Sequence, residues 1–351
     1  MLRAAAFLGA SLAASGCSDD QPNRPGQGPV TPSPVSAEIK LGRALWTRGV
    51  EQGNPAEEFG KIVGAALDRR RKLYLLDALS QNVRVFDAEG TFVHAFGSAG
   101  HGPGELADPQ AMLIDPADTL YILDAENGLS LFRIQPDGVE YVRTINLGIQ
   151  AHDFCFMGQH IFVFAYRRQR TIHEFDRNGM LLHLFGEAFG PAKTAVEEVI
   201  SGDGKIACFE ESQLVVVASK LLPDVRAYHV ANRTLAWSDS LRDFTPIVIQ
   251  IGPDRNRYTM MPRRGGHAET AVLRPLNSKL LLAQSRRAPR SEPIEAIASC
   301  IIAVATGQCA WKSQSIPLLP VVAGNWAVAI SDTLFPVVRV VETKVVIGHN
   351  Q

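Results

Sequence analysis

The phrase "LYLLDALSQNVRVFDAEG", Leu73 to Gly90, returns 47 residues later as "LYILDAENGLSLFRIQPDG", Leu120 to Gly138. Each copy has an apolar run, an Asp, a short polar stretch, a second run in which apolar residues alternate, and a turn ending in Gly. That order reads as strand, loop, strand, tight turn. A phrase of this size returning at a regular period marks a repeat architecture and constrains the fold more than any other feature of the chain.

The first strand of the phrase recurs as "IFVFA" at Ile161, "LVVVA" at Leu214, "LLLAQ" at Leu280 and "WAVAI" at Trp326, making six copies. The second strand and turn recur as "TIHEFDRNGM", "VRAYHVANRT", "CIIAVATGQC" and "PVVRVVETKV". The Asp of the first two copies, Asp77 and Asp124, becomes Ala165, Ala218 and Gln284 in later ones. A unit of short apolar strands cannot bury both its faces alone, so neighbours must stack, and closing the row into a ring removes exposed edges. The pattern predicts an all-β, six-bladed β-propeller of four-stranded antiparallel blades over residues 38–351. Between Asp239 and Gly266, "TPIVIQIGPDRNRYTMMP" reads as an inserted hairpin, with seven blades as the alternative. The last unit ends almost at the C-terminus, so "EIKLGRALWTRG", Glu38 to Gly49, is expected to supply its outermost strand.

Leu73 to Asp124, "LYLLDALSQNVRVFDAEGTFVHAFGSAGHGPGELADPQAMLIDPADTLYILD", resembles the NHL-repeat β-propellers: a strand with Tyr and Asp, then "VRVFD", a Gly turn, "FG", and a Gly-rich loop with Pro before the next strand. The resemblance covers about two of the units and implies a propeller. The whole also resembles the six-bladed propeller lipoproteins of bacterial envelopes, a grouping defined by architecture more than by activity.

Ahead of the repeats, "MLRAAAFLGASLAASGC" has an early positive charge at Arg3, an apolar stretch from Ala4 to Ala14 and small residues running into Cys17, the layout of a signal peptide over residues 1–16. Ala14-Ser15-Gly16-Cys17 resembles the lipobox of bacterial lipoproteins, with Ala14 where that motif usually has Leu, which implies lipid on Cys17. An ordinary signal peptide cut elsewhere is the alternative. Residues 17–37 are rich in Pro, Gly and Ser and form a tether; about 20 residues at about 3.1 Å each would reach roughly 60 Å from a bilayer. Ser18 resembles the pattern that sends lipoproteins to the outer membrane, so the expected location is a bacterial envelope, lipid-anchored and facing the periplasm or the cell surface.

Cys155 and Cys208 each lie six residues before a repeated strand, where Leu67 and Ile114 lie in the first two units. Sitting where Leu and Ile sit, they read as small buried hydrophobes; an oxidising compartment would permit a bridge between them, against which stands the distance expected between equivalent strands of adjacent blades. Cys300 and Cys309 flank a Thr306-Gly307 turn and are the disulfide candidate.

Signals for chemistry are few. "GSAGHGPGEL", Gly97 to Leu106, precedes a strand rather than the helix a phosphate loop needs, and Asp77 and Asp124 read as strand-end caps. No local catalytic motif is present, and no cofactor is implied. Related propeller enzymes gather single residues from several blades at the channel mouth, and His101, His152, Glu197, Glu198 and His267 lie in or near connections that enter inner strands. A solvated loop His is the commoner case, so these are weak metal candidates.

Charge placement is more informative. Successive antiparallel turns alternate ends, so second-to-third-strand loops share a face with the connections between blades. On that face the sequence puts eight arginines: Arg167, Arg168 and Arg170; Arg263 and Arg264; Arg286, Arg287 and Arg290. Arginine suits bidentate capture of carboxylate or phosphate. The bland alternative is a solvated rim. With a formal net charge of -1 the chain has no global pull toward nucleic acid, which an exported protein would rarely meet. Two functions stay open: a non-enzymatic envelope lipoprotein that binds an envelope protein or anionic ligand through this face, which the balance favours, and a channel-mouth enzyme of the metal-dependent lyase or lactonase type.

Overall fold

The chain forms six four-stranded antiparallel sheets arranged as the blades of a propeller. The computed structural model describes residues 35–190, 195–241, 243–253, 258–261, 266–288, 298–313, 316–332 and 335–349. Blade 1 runs from Ile62 to Phe96, blade 2 from Pro109 to Ile145, blade 3 from Asp153 to Glu187, blade 4 from Gly204 to Ser240 and blade 5 from His267 to Ser313. Blade 6 combines Leu318–Ala323, Trp326–Asp332 and Pro336–His349 with the N-terminal strand Val35–Arg48 as its outermost member. The count is six, not seven, because Val248–Ile251 and Tyr258–Met261 pair only with each other as a hairpin between blades 4 and 5. The ring closes as expected, except that the closing strand starts at Val35 rather than Glu38: Ser36 Oγ donates to the Gly348 carbonyl at 3.1 Å and Ala37 is buried. Among the described residues a single helix, Ala195–Gly202, lies in the connection that enters blade 4.

Burial follows position in the blade. The second strands, "LYLLD" of blade 1 and "LVVVAS" of blade 4, are buried at every residue, because a strand inside a radial sheet is covered by the adjacent blade on both faces. Outer strands such as Leu235–Ser240 are largely exposed. The apolar core is accordingly six clusters, one at each seam. Phe162, Phe164, Ile206, Val215 and Val217 fill the seam between blades 3 and 4; Leu73, Leu75, Phe86, Val328 and Trp46 fill the seam where the ring closes.

In blades 1 and 2 the repeated Asp stitches the blade to the connection before it. Asp124 accepts the backbone N–H groups of Ala107 and Asp108 from the incoming connection and those of Glu126 and Asn127 from the next turn, at 2.8 to 3.0 Å. Asp77 does the same in blade 1. In blade 5 Gln284 stands at this position but holds the connection that follows, its Oε1 accepting from the Leu319 N–H at 2.7 Å and its Nε2 donating to the Pro317 carbonyl. These bonds also put the second-to-third-strand turns on the face of the inter-blade connections.

Two disulfides are present. Cys300–Cys309 closes the third-to-fourth-strand hairpin of blade 5. Cys155–Cys208 overturns the reading of two separate buried thiols: it joins the inner strands of blades 3 and 4, whose Cα atoms lie 5.6 Å apart. Inner strands converge toward the ring axis, which brings equivalent positions within bridging range. Cys155 lies opposite Phe162, whereas Leu67 lies opposite Leu73, so the cysteines sit one position away from the expected register.

His173 in blade 3 is 1% exposed and neither ring nitrogen has a partner among the described residues. Burial, with added repulsion from Arg167, pushes its pKa down to about 4 from 6.5. The folded chain therefore refuses a proton that the unfolded chain accepts. Stability from this group is complete above about pH 6.5 and is lost as the pH falls toward 4, by about 3 kcal/mol in all. Urea unfolding should show wild type weakening across that window and His173→Leu weakening much less. Parallel pH profiles for the two proteins would rule this out.

Candidate functional site

The most concentrated polar site lies along the inner strands of blades 3, 4 and 5. Asp153 opens the inner strand of blade 3 and is fully buried. Its Oδ2 accepts the N–H of Ile206 at 3.1 Å. That N–H belongs to blade 4's innermost strand, which has no strand on its far side, so the carboxylate caps an open sheet edge at the ring axis. Arg274 from blade 5 completes the link, with Nη1 3.2 Å from Asp153 Oδ2 and Nη2 3.3 Å from Oδ1. Blades 3 and 5 are thus joined across the inner edge of blade 4, beside the Cys155–Cys208 bridge.

Four more residues surround this pair. Asp203, just ahead of blade 4's inner strand, is bonded to Lys220 at the end of its second strand. His152 Nδ1 lies 3.9 Å from Asp203 Oδ1. Burial pushes the Asp203 carboxyl up, but Lys220 and His152 outweigh it and hold the group below the usual carboxylate range. Burial lowers the His152 pKa, with Asp203 opposing and Lys220 and Lys205 assisting. Lys205, the second residue of blade 4's inner strand, is half-buried. Its amine is lowered by burial, against the attraction of Asp153 and with Arg274 adding to the fall.

Of the expected site residues, only His152 belongs to this group. His101 is exposed and sits 2.8 Å from Asn127 Oδ1 and 3.7 Å from Glu126; His267 pairs with Glu269 at 3.6 Å. The three histidines face different carboxylates on different blades, so they do not converge as metal ligands, and no group of three His, Cys, Asp or Glu able to hold a metal occurs among the described residues. Glu198 is exposed on the helix.

The arginine face is only partly assembled. Arg167, Arg168, Gln169 and Arg170 form the exposed turn between the second and third strands of blade 3, with φ of 51° at Arg168 and 61° at Gln169. Arg167 Nη1 reaches the Gly148 carbonyl at 3.5 Å. Arg286 does not stand as free charge: it lies opposite Glu269 in the blade 5 ladder and pairs with it at 3.5 Å. Arg287 is exposed on the same strand. Cys17, Arg263, Arg264 and Arg290 lie outside the described residues.

Four-stranded blades stacked through six apolar seams, a ring closed by the N-terminal strand, and polar groups gathered on the inner strands define a six-bladed β-propeller. The chain belongs to the family DUF5128, described as 6-bladed beta-propeller, whose match spans residues 60–235. Among solved structures it is similar to a member of the DUF4221 family from Bacteroides vulgatus, with a TM-score of 0.55 and 8% identity over 89% of this chain and 99% of that one. It is likewise similar to a Bacteroides fragilis protein presumed to be exported, with a TM-score of 0.53 and 11% identity over 89% and 96%. At such identities the likeness is one of fold. A comparison with curated proteins gives no match.

Proposed function

We propose that this chain is a bacterial cell-envelope lipoprotein, anchored through Cys17, whose NHL-like propeller acts as a binding module for an acidic envelope protein or anionic ligand. The observation that carries the binding reading is the blade 3 turn, which holds Arg167, Arg168 and Arg170 exposed on the face of the inter-blade connections. Arg287 of blade 5 adds a further exposed cation. An oxidising compartment suits the two disulfides.

One fractionation and capture experiment tests both parts. Cys17→Ala should move the protein from the membrane to the soluble periplasmic fraction, and continued membrane association with unchanged processing would remove the anchor. The Arg167→Ser, Arg168→Ser, Arg170→Ser variant should keep its melting temperature, since exposed charges usually change stability by less than about 0.5 kcal/mol. It should fail to capture the envelope components that wild type retains at low salt. Wild-type capture should itself fall at 1 M salt, where the Debye length shrinks to roughly 3 Å. Equal capture by both proteins at every salt concentration would make the turn a solvated rim.

A further inference from the structure

We propose that Lys205 is the receptor for an oxyanion, the carboxylate or phosphate group of a small ligand, at the inner edge of blade 4. The charged groups around Lys205 are two cations, Arg274 and Lys220, and two carboxylates, Asp153 and Asp203, each carboxylate already held by one of those cations. Asp153 is engaged by both Nη atoms of Arg274 and by the Ile206 N–H. Asp203 is engaged by Lys220. Lys205 has no hydrogen bond or ion pair among the described residues, and His152, the remaining titratable neighbour, is a base held toward its neutral form. Asp153 and Asp203 attract the ammonium but neither is in contact with it; a half-buried ammonium with no oxygen partner is unfavourable, and a bound oxyanion would supply that contact. Partial burial makes such a pair stronger than one on the surface, because solvent screens it less.

The neighbours define the ligand's chemistry. Arg274 and Lys220 keep their own carboxylates, so Lys205 offers one ammonium, a point charge suited to a single oxyanion group rather than to a planar bidentate acid. This site is separate from the arginine turn and does not depend on it.

The lowered amine makes binding proton-linked. The groups around Lys205 are Asp153 of blade 3, Arg274 of blade 5, and Asp203 and Lys220 of blade 4, with His152 behind Asp203. Of these, Lys205 is the one whose charged form the anion needs, so affinity should fall as the pH rises through its depressed pKa.

The full chain would be titrated with inorganic phosphate and with acetate, chloride serving as the control, while amine acylation of each lysine is followed by mass spectrometry. Phosphate or acetate should slow acylation of Lys205 and leave exposed Lys279 unchanged; whichever anion protects better tells phosphate from carboxylate. Lys205→Met should weaken anion binding by about tenfold or more, the loss of one charge-assisted contact. The triple arginine variant should bind as wild type does, so the two sites can fail separately. Acylation of wild-type Lys205 unaffected by either anion would overturn the proposal even if Lys205→Met did not fold. Unchanged affinity in a folded Lys205→Met protein would overturn it as well.

Discussion

Deleting residues 35–48 should yield a chain that aggregates instead of folding, whereas deleting residues 18–34 should leave the melting temperature where it is. The first deletion removes the outermost strand of blade 6, which pairs with Pro336–His349 along nearly its whole length. It also removes Ala37, Ile39 and Trp46 from the core. Trp46 does more than fill space: its Nε1 donates to the Ala88 carbonyl of blade 1 at 3.0 Å, and its ring lies so close to Gly90 that a Cβ there would come within 2.6 Å of it. Gly90 has a φ of +84°, which a glycine adopts without strain. One side chain on the strand of blade 6 therefore clasps the turn of blade 1, joining the two ends of the ring. Losing a buried Trp alone costs about 3–5 kcal/mol and a buried Ile about 2–5. Together these approach the whole net stability of an ordinary domain, about 5–15 kcal/mol, and the uncovered strand becomes a free edge able to pair with other chains. Size-exclusion chromatography and thermal melting of both deletions would check this. A protein lacking residues 35–48 that stays monomeric and melts at the wild-type temperature would show that closure is achieved some other way.

Asp77→Ala should cost about 3–5 kcal/mol, the penalty typical of breaking a buried ion pair from one side. Asp77 is fully buried, and Arg84, its partner at 2.9 Å, is nearly so. The same carboxylate accepts N–H groups from Gly60 and Lys61 in the incoming connection and from Leu79 in the turn. Truncation leaves the guanidinium unpaired and these donors without an acceptor. Asp77→Ala combined with Arg84→Met should recover part of the loss, because an apolar residue asks for no counterion. Acid gives an independent check. Burial pushes the Asp77 carboxyl up, but the Lys61 and Gly60 N–H groups and Arg84 outweigh it and hold the group below its ordinary value. A depressed carboxyl contributes stability that is present above the ordinary carboxylate pKa and disappears as the pH falls through the folded value. Denaturant melts should therefore separate wild type from Asp77→Ala widely at pH 7 and bring them together as the pH falls below the ordinary carboxylate range. A constant gap across that range would mean that the charge of Asp77 is not what holds blade 1.

The strand-end role of Asp77 and Asp124 was legible in the sequence because all its parts are local: an Asp ending a strand, a polar turn, and a connection some 16 residues upstream. The channel cluster was not, although one signal was within reach. Asp153 occupies the inner-strand position held by Gly64 in blade 1 and Ala111 in blade 2, each opposite the fourth residue of the neighbouring strand. A carboxylate where the better-preserved units have a small residue marks a blade that departs from its repeat. What it binds could not be read in the same way, since Arg274 is 121 residues away. Arg286 shows the opposite failure. The sequence puts it on the loop face with the other arginines, but the ladder of blade 5 sets it opposite Glu269.

By itself the sequence determined the six blades, the extra hairpin between the fourth and fifth, and the strand that closes the ring, because strand alternation and turn residues act over a few neighbouring positions and are written again in each unit. The tertiary structure alone decided which charges meet. Ring closure brings the inner strands together at the axis, and that convergence sets the Cys155–Cys208 bridge, carries Arg274 past blade 4 to Asp153, and leaves Lys205 among charges already paired with one another.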